Sequence, residues 1–299
     1  MITEKDTVKT GSGATALNQA SGIFIKGNKA YIASSSSKSL SVFDISDPLA
    51  ITELDTIIDG AEGATHLDGA FSVFVKGNRA YVASGSDNAL SIFDVTDPTM
   101  LTQLGVIVDG AGATELGGAS SVFVKGKKAY VASYDGSLSI FDVSDPTNIT
   151  ELGVISDGDG ATALNGPVSL DVKGGKAYVA SLAGNSLSIF NIKNPASITE
   201  LGTIVDGAGA DELDAASGVL VKGKKAYVTS VGDDALSILD IKDPQNITQL
   251  AVAKNSVNAN ELNGANAVFL KKRHAYVVSQ QDNSLSIFDI SSVTPKQCQ

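Results

Sequence analysis

One phrase is written six times in this chain, and the repetition limits the fold more than any other feature. AYVASGSDNALSIFDVTDP at residues 80–98 recurs at 30–48, 129–146, 177–195, 226–244 and, without its closing proline, from Ala275. The tyrosines that open the copies, Tyr31, Tyr81, Tyr130, Tyr178, Tyr227 and Tyr276, fall 48 to 50 residues apart. A period of that length belongs to stacked or ringed repeats and excludes most single-copy enzyme folds.

Each full unit reads as four short strands. In the second unit they are SVFVK (72–76), AYVAS (80–84), ALSIFDV (89–95) and LTQLGVIV (101–108), rich in Val, Ile, Phe and Tyr and bounded by Gly, Asn, Asp and Pro. Lys-Gly-Asn and Lys-Gly-Lys supply tight hairpins in which glycine takes the positive φ. Asp-Pro ends the third strand, because proline cannot donate to a ladder. No segment carries a 3.6-residue apolar period, so the chain is expected to be all-β.

Residues 2–21, ITEKDTVKTGSGATALNQAS, align without a gap to 198–217, ITELGTIVDGAGADELDAAS, the last part of an interior repeat. The final copy stops after LSIFDI and lacks that part. This split favours a closed ring: a six-bladed β-propeller over residues 1–291, its last blade completed by the strand at 2–8, with a tail at 292–299. An open stack needs polar capping repeats, and the end copies read like the middle ones.

On the AYVAS and LSIFDVSDP patterns the chain, from residue 2 to residue 290, resembles the LVIVD-type repeat proteins, relatives of the YVTN-type propellers found largely among bacterial and archaeal surface and secreted proteins. The resemblance implies a propeller used as an interaction module at a cell surface or outside the cell. One departure is the connection DGAGATELGGA (109–119), longer than a minimal repeat needs.

A net charge of −11 argues against nucleic acid as the main partner. No run approaches the roughly 18 to 20 apolar residues of a membrane span, and the opening MITEKDTVKT is too polar for a signal-peptide core. The single cysteine, Cys298, leaves no disulfide within the chain. In a propeller the hairpins between first and second strands share one face with the third-to-fourth turns, and the remaining connections lie opposite. Sorted this way, Lys26, Lys76, Lys125, Lys173, Lys222 and Lys271 stud one face, while Asp59, Asp109, Asp157 and Asp206 belong to an acidic one. The lysines have three readings: local pairing with Asp44, Asp47, Asp94 and Asp97, stacking of one copy's acidic face on another's basic face, or recognition of anionic glycans or lipid headgroups.

The Asp-Gly connections offer several hard oxygens in a short turn, as calcium requires, with Asp157 and Asp159 the closest candidates. Thr10 and Asn255 replace the aspartate in two of the six copies, which favours turn chemistry over a metal. Only two histidines are present, His66 in an acidic connection and His274 in a basic hairpin, so no His dyad or shared metal is expected. Asp171 stands where Phe24, Phe74, Phe123, Leu220 and Phe269 stand in the other copies, as a channel-facing acid or a locally hydrogen-bonded substitute. Asn148-Ile-Thr and Asn246-Ile-Thr match the short glycosylation pattern. The leading expectation is a non-enzymatic binding or assembly module without cofactor, engaging a protein partner or itself. The alternative is a metal-dependent hydrolase or lactonase with Asp171 at a channel mouth.

Overall fold

The computed structural model describes residues 6–293, which form strands, turns and loops with no helix. They build the six blades of a β-propeller. Blade 1 runs Ala20–Lys26, Lys29–Ser34, Ser39–Asp44 and Thr52–Ile58, each strand antiparallel to the next. Blade 2 (Ala70–Lys76, Arg79–Ser84, Ala89–Asp94, Thr102–Asp109) repeats this pattern. Blades 3 to 5 follow the same strand order, and blade 6 has three described strands, Ala265–Lys271, His274–Ser279 and Ser284–Asp289. The chain divides into two compact units, Met1–Leu152 and Gly153–Gln299. Blades 1 and 2 belong to the first, blades 4 to 6 to the second, and the division falls within the fourth strand of blade 3, Thr150–Asp157.

The glycine hairpins form as the sequence requires: Gly77 and Gly126 sit at φ 57° and 63°. The first strand of blade 2 runs two residues beyond the sequence reading, Ala70–Lys76 against 72–76, because the ladder continues through a bulge between Ala70 and Ser72 that alternation cannot reveal, while the third ends one residue short of it, at Asp94. Short parallel bridges, such as Gly112–Ala113 beside Val108 and Asp109, add a fifth strand to some blades. They lie inside the long Asp-Gly connection and account for its extra length.

Both faces of each interior blade are apolar, and the core lies between blades. In the first unit, Leu90 and Ile92 of blade 2 pack with Val122 and Val124 of blade 3, while Val82 and Phe93 on the opposite side join Leu40 and Val42 of blade 1. In the second unit, Leu187 and Ile189 of blade 4 meet Val219 and Val221 of blade 5. Each such buried side chain stabilises by roughly 1.5–3 kcal/mol, so the stack of blades is the main source of cohesion. The serines of SLSIF do more than fill narrow space: Ser139 and Ser237 donate to the carbonyls of Glu115 and Glu212 at 2.9 Å, tying each connection to the third strand.

The strand expected to complete the last blade falls largely on residues 2–5, outside the described residues. Of the rest, Asp6, Thr7 and Val8 carry no strand, and Lys9–Thr10 pairs with Gly13–Ala14. Residues 294–299 of the expected tail also lie outside the described residues.

Candidate functional site

At the connection end of the blades, the Asp-Gly aspartates are fasteners. Asp109 Oδ1 accepts the backbone N–H of Leu116 at 2.8 Å, Asp157 that of Leu164 at 2.8 Å, Asp206 that of Leu213 at 2.9 Å and Asp59 that of Leu67 at 3.1 Å. The four leucines are fully buried, so each bond closes a loop over an apolar anchor. Where the aspartate is missing, the acceptor survives: Thr10 Oγ1 takes Leu17 N–H at 2.7 Å and Asn255 Oδ1 takes Leu262 N–H at 3.3 Å. The position therefore selects an oxygen acceptor, with charge optional. Asp159 is exposed beside Asp157 and exchanges backbone bonds with Ser156. Among the described residues, no three His, Cys, Asp or Glu side chains gather closely enough to hold a metal ion.

A second fastener was not anticipated from the sequence. Glu53 on the fourth strand accepts from Thr15 N–H at 2.9 Å and from its hydroxyl at 2.6 Å, and Glu151 holds Thr114 in the same way. Gln103 does this with its amide, accepting from Thr65 N–H and donating to Thr65 O, both at 2.9 Å. The signal was present as Glu or Gln in every ITEL or LTQL and Thr in most connections, some 38 residues earlier. Lys38 and Asp68 form an ion pair at 2.5 Å at this end of blades 1 and 2, and Lys254 meets Asp233 at 3.1 Å in the second unit. His66 adopts φ 62° in its connection, while His274 lies in the hairpin of blade 6 beside Tyr276.

At the hairpin end, the lysines reach across blades rather than to the aspartates named as local partners. Lys26 Nζ donates to Gly77 O, Lys76 Nζ to Gly126 O and Lys222 Nζ to Lys272 O, each in the hairpin of the next blade. Lys173 Nζ donates to Val221 O at 3.3 Å, and Lys125 and Lys271 are exposed. Asp44, Asp94 and Asp97 instead accept backbone N–H groups two residues on, from Ser46, Thr96 and Thr99, at 2.7 to 3.0 Å. Side-chain and backbone hydrogen bonds from these residues hold the three carboxyls below the usual carboxylate range.

Asp171 is half-buried on the first strand of blade 4, opposite Tyr178, and its Oδ2 accepts Val221 N–H from blade 5 at 2.7 Å. Burial, and secondarily the Asp171 charge, pushes the Tyr178 phenol up. In the first unit the equivalent residues are rings in a file: Phe24 to Phe74 at 4.8 Å and Phe74 to Phe123 at 4.9 Å between centroids.

One concavity has no counterpart in the sequence reading. A cleft of about 470 Å³ between blades 2 and 3 is lined by Lys76, Arg79, Tyr81, Lys127, Val143 and Ser144 together with hairpin backbone. The Arg79 guanidinium crosses it, donating through Nη1 to Val143 O at 3.1 Å and Ser144 O at 3.2 Å. Arginine stands here alone where Lys29, Lys128, Lys176, Lys225 and His274 occupy the other copies, which was the available clue.

Repeated antiparallel blades with apolar faces between them, fastened by a recurring set of side-chain bonds, define a β-propeller repeat protein. The LVIVD repeat model matches residues 18–57, 69–109, 116–157, 168–206, 215–251 and 264–294, and the chain belongs to that family. No curated protein has a significantly similar sequence. Among solved structures, a protein from Lactobacillus plantarum superposes with a TM-score of 0.74 at 15% identity, over 94% of this chain and 84% of that one. A candidate 6-phosphogluconolactonase from Bacteroides fragilis gives 0.70 at 16% identity, over 91% and 80%. A functionally unknown protein from Desulfotomaculum acetoxidans gives 0.69 at 14%, over 92% and 83%. At these identities the likeness concerns the fold alone.

Proposed function

We propose that this protein is a non-enzymatic binding and assembly module, working at a cell surface or in a secreted or virion structure, whose partner is another protein or a further copy of itself. The observation that carries this reading is the employment of its carboxylates. Asp109, Asp157, Asp206 and Asp171, the acids most open to a chemical role, each accept a backbone N–H of the framework. A general acid or base needs its oxygens directed at a substrate, whereas these are directed at the fold. The surface location follows from the family resemblance. The contact we favour is electrostatic, with the acidic connection end of one copy facing the lysine-rich hairpin end of another. Anionic glycans or headgroups are the second class of partner, and the cleft at Arg79 supports them.

The competing reading is a lactonase-type hydrolase, favoured by one neighbour's description and by Asp171. Light scattering after gel filtration, at low and high salt and with and without calcium, separates the possibilities. Mass that grows at low salt and returns to 30.6 kDa at high salt supports electrostatic stacking. A monomer throughout, with lactone hydrolysis abolished by Asp171→Asn, supports the hydrolase.

A further inference from the structure

The joint between blades 2 and 3 is lined by cations from both sides. Every residue around its cleft of about 470 Å³ falls between Lys76 and Ser144, inside the first unit. Lys76 and Arg79 come from blade 2 and Lys127 from blade 3, and among the described residues no carboxylate lines it. In a chain with a net charge of −11 such a wall is a local reversal of sign. The nearby carboxylates are engaged elsewhere: Asp94, Asp142 and Asp145 each accept a backbone N–H two residues on, at 2.8 to 3.0 Å.

The cations are only partly engaged by the fold. Arg79 directs Nη1 at the carbonyls of Val143 and Ser144, at 3.1 and 3.2 Å, which pins the guanidinium across the cleft. A guanidinium has five N–H donors in one plane, so those of Nε and Nη2 remain, with the Tyr81 phenol beside them. Lys76 Nζ donates one of its three hydrogens, to Gly126 O. Lys127 is exposed, and among the described residues its ammonium is in no salt bridge. At the preceding joint the corresponding residues are Lys26, Lys29 and Asn78, two cations and an amide.

We propose that this cleft binds the phosphate group of a small phosphate monoester, whose terminal oxygens take hydrogen bonds from Arg79, Lys76 and Lys127. A carboxylate offers two oxygens in one plane and is satisfied by a single arginine fork. A phosphate monoester carries about −1.5 to −2 charges at neutral pH on three terminal oxygens, so it calls for donors from more than one direction, as the walls of two blades supply. A planar fork held by two carbonyls is pre-organised for it. The volume lies within the range of small-molecule sites, about 300–1,000 Å³, so the esterified organic part fits beside the phosphate. The proposal rests on the anion-binding reading of this cleft, to which it gives a chemistry, and it is independent of stacking between copies.

Titration calorimetry of the full chain with glycerol 3-phosphate, and with glucuronate as the carboxylate counterpart, tests the proposal. One glycerol 3-phosphate per chain is expected, bound at least about tenfold more tightly than glucuronate. Arg79→Lys keeps the charge, removes the fork and installs the residue found in four other copies, and Lys127→Asn installs the residue of blades 1 and 2. Neither change is foreign to the fold, and each weakens binding by about tenfold or more. Lys224→Asn, the same change at the joint of blades 4 and 5, where Lys176 stands in place of the arginine, leaves binding unchanged. Vesicles of phosphatidylcholine with and without phosphatidic acid assign the source. Retention on the acidic vesicles, reversed by glycerol 3-phosphate, marks a lipid headgroup, and binding of the soluble ester alone marks a free ligand; each supports the proposal. Glucuronate bound as tightly as glycerol 3-phosphate overturns it and leaves the broader anion reading in place. No saturable binding of either ligand overturns both. Wild-type affinity in Arg79→Lys and Lys127→Asn overturns the assignment to this cleft.

Discussion

The first unit and blade 4 of the second treat the same first-strand position in opposite ways. In the first, Phe24, Phe74 and Phe123 form a tilted file of rings, each touching the next. In the second, blade 4 has Asp171 there, and its carboxylate takes up the N–H of Val221 in the following blade. A ring holds its neighbour by dispersion and area, and a carboxylate holds it by one charge-assisted bond. The lesson is that a residue which breaks a repeat pattern need not mark a reaction centre. It can mark a second chemical solution to the same mechanical task.

The comparison is broken most easily at its apolar side. Phe74→Ala removes two ring contacts at once and is expected to cost roughly 2–4 kcal/mol in urea unfolding; a loss below about 0.5 kcal/mol means the file carries little of the stability. On the polar side, Asp171→Ala leaves the Val221 N–H without its acceptor, and a loss of about 1–3 kcal/mol is expected. Asp171→Asn keeps an acceptor and should come close to wild type, so equal losses for Ala and Asn would refute the hydrogen-bond role. A smaller effect of about 1 kcal/mol is expected for Asp109→Ala, and almost none for Asp109→Asn, because Asn255 already does the same work at its own site.

The gentlest probe is pH. Asp44, Asp94, Asp97, Asp142 and Asp145 are held below their ordinary values by hydrogen bonds from Ser46, Thr96, Thr99, Ser144 and Thr147. A folded value below the unfolded one, about 3.9, means that the unfolded chain binds more protons in this range. The stabilisation is complete above that value and is lost as pH falls through the folded values. In blade 4, Asn191 and Asn194 make the equivalent bonds and do not titrate. Hydrogen exchange during mild acidification should therefore loosen these turns in blades 1 to 3 before those of blade 4. Simultaneous loosening would show that the turns report global unfolding.

Strands and hairpins were legible because they depend on local rules, alternation and glycine at positive φ, which a single sequence displays. The bulges were not, since an extra residue in a ladder leaves no mark on composition. The role of Asp59, Asp109, Asp157 and Asp206 was ambiguous in principle: a turn acceptor and a calcium ligand demand the same side chain. Thr10 and Asn255 are the signal for the turn-acceptor role, because both keep an acceptor while giving up charge. The cleft at Arg79 escaped because its walls come from two blades, and only the pairing of their hairpins brings Lys76, Arg79 and Lys127 together. The reach of Lys26, Lys76 and Lys222 to the next blade's hairpin carbonyls was not legible for a related reason, since proximity along a blade points only to the aspartates, with which Arg273 does pair, at 3.9 Å from Asp289.

The fasteners at each connection bear on how such a gene can change length. The connection before blade 2 is tied backwards through Asp59 to Leu67 and forwards through Gln103 to Thr65, and the connection before blade 3 repeats both bonds with Asp109 and Glu151. Recombination between two neighbouring connections of this kind gains or loses one whole period, and the new junction inherits the same pair of bonds from the parental ones. Blade number is thereby free to change by whole periods, because the joint between successive blades is kept at each step.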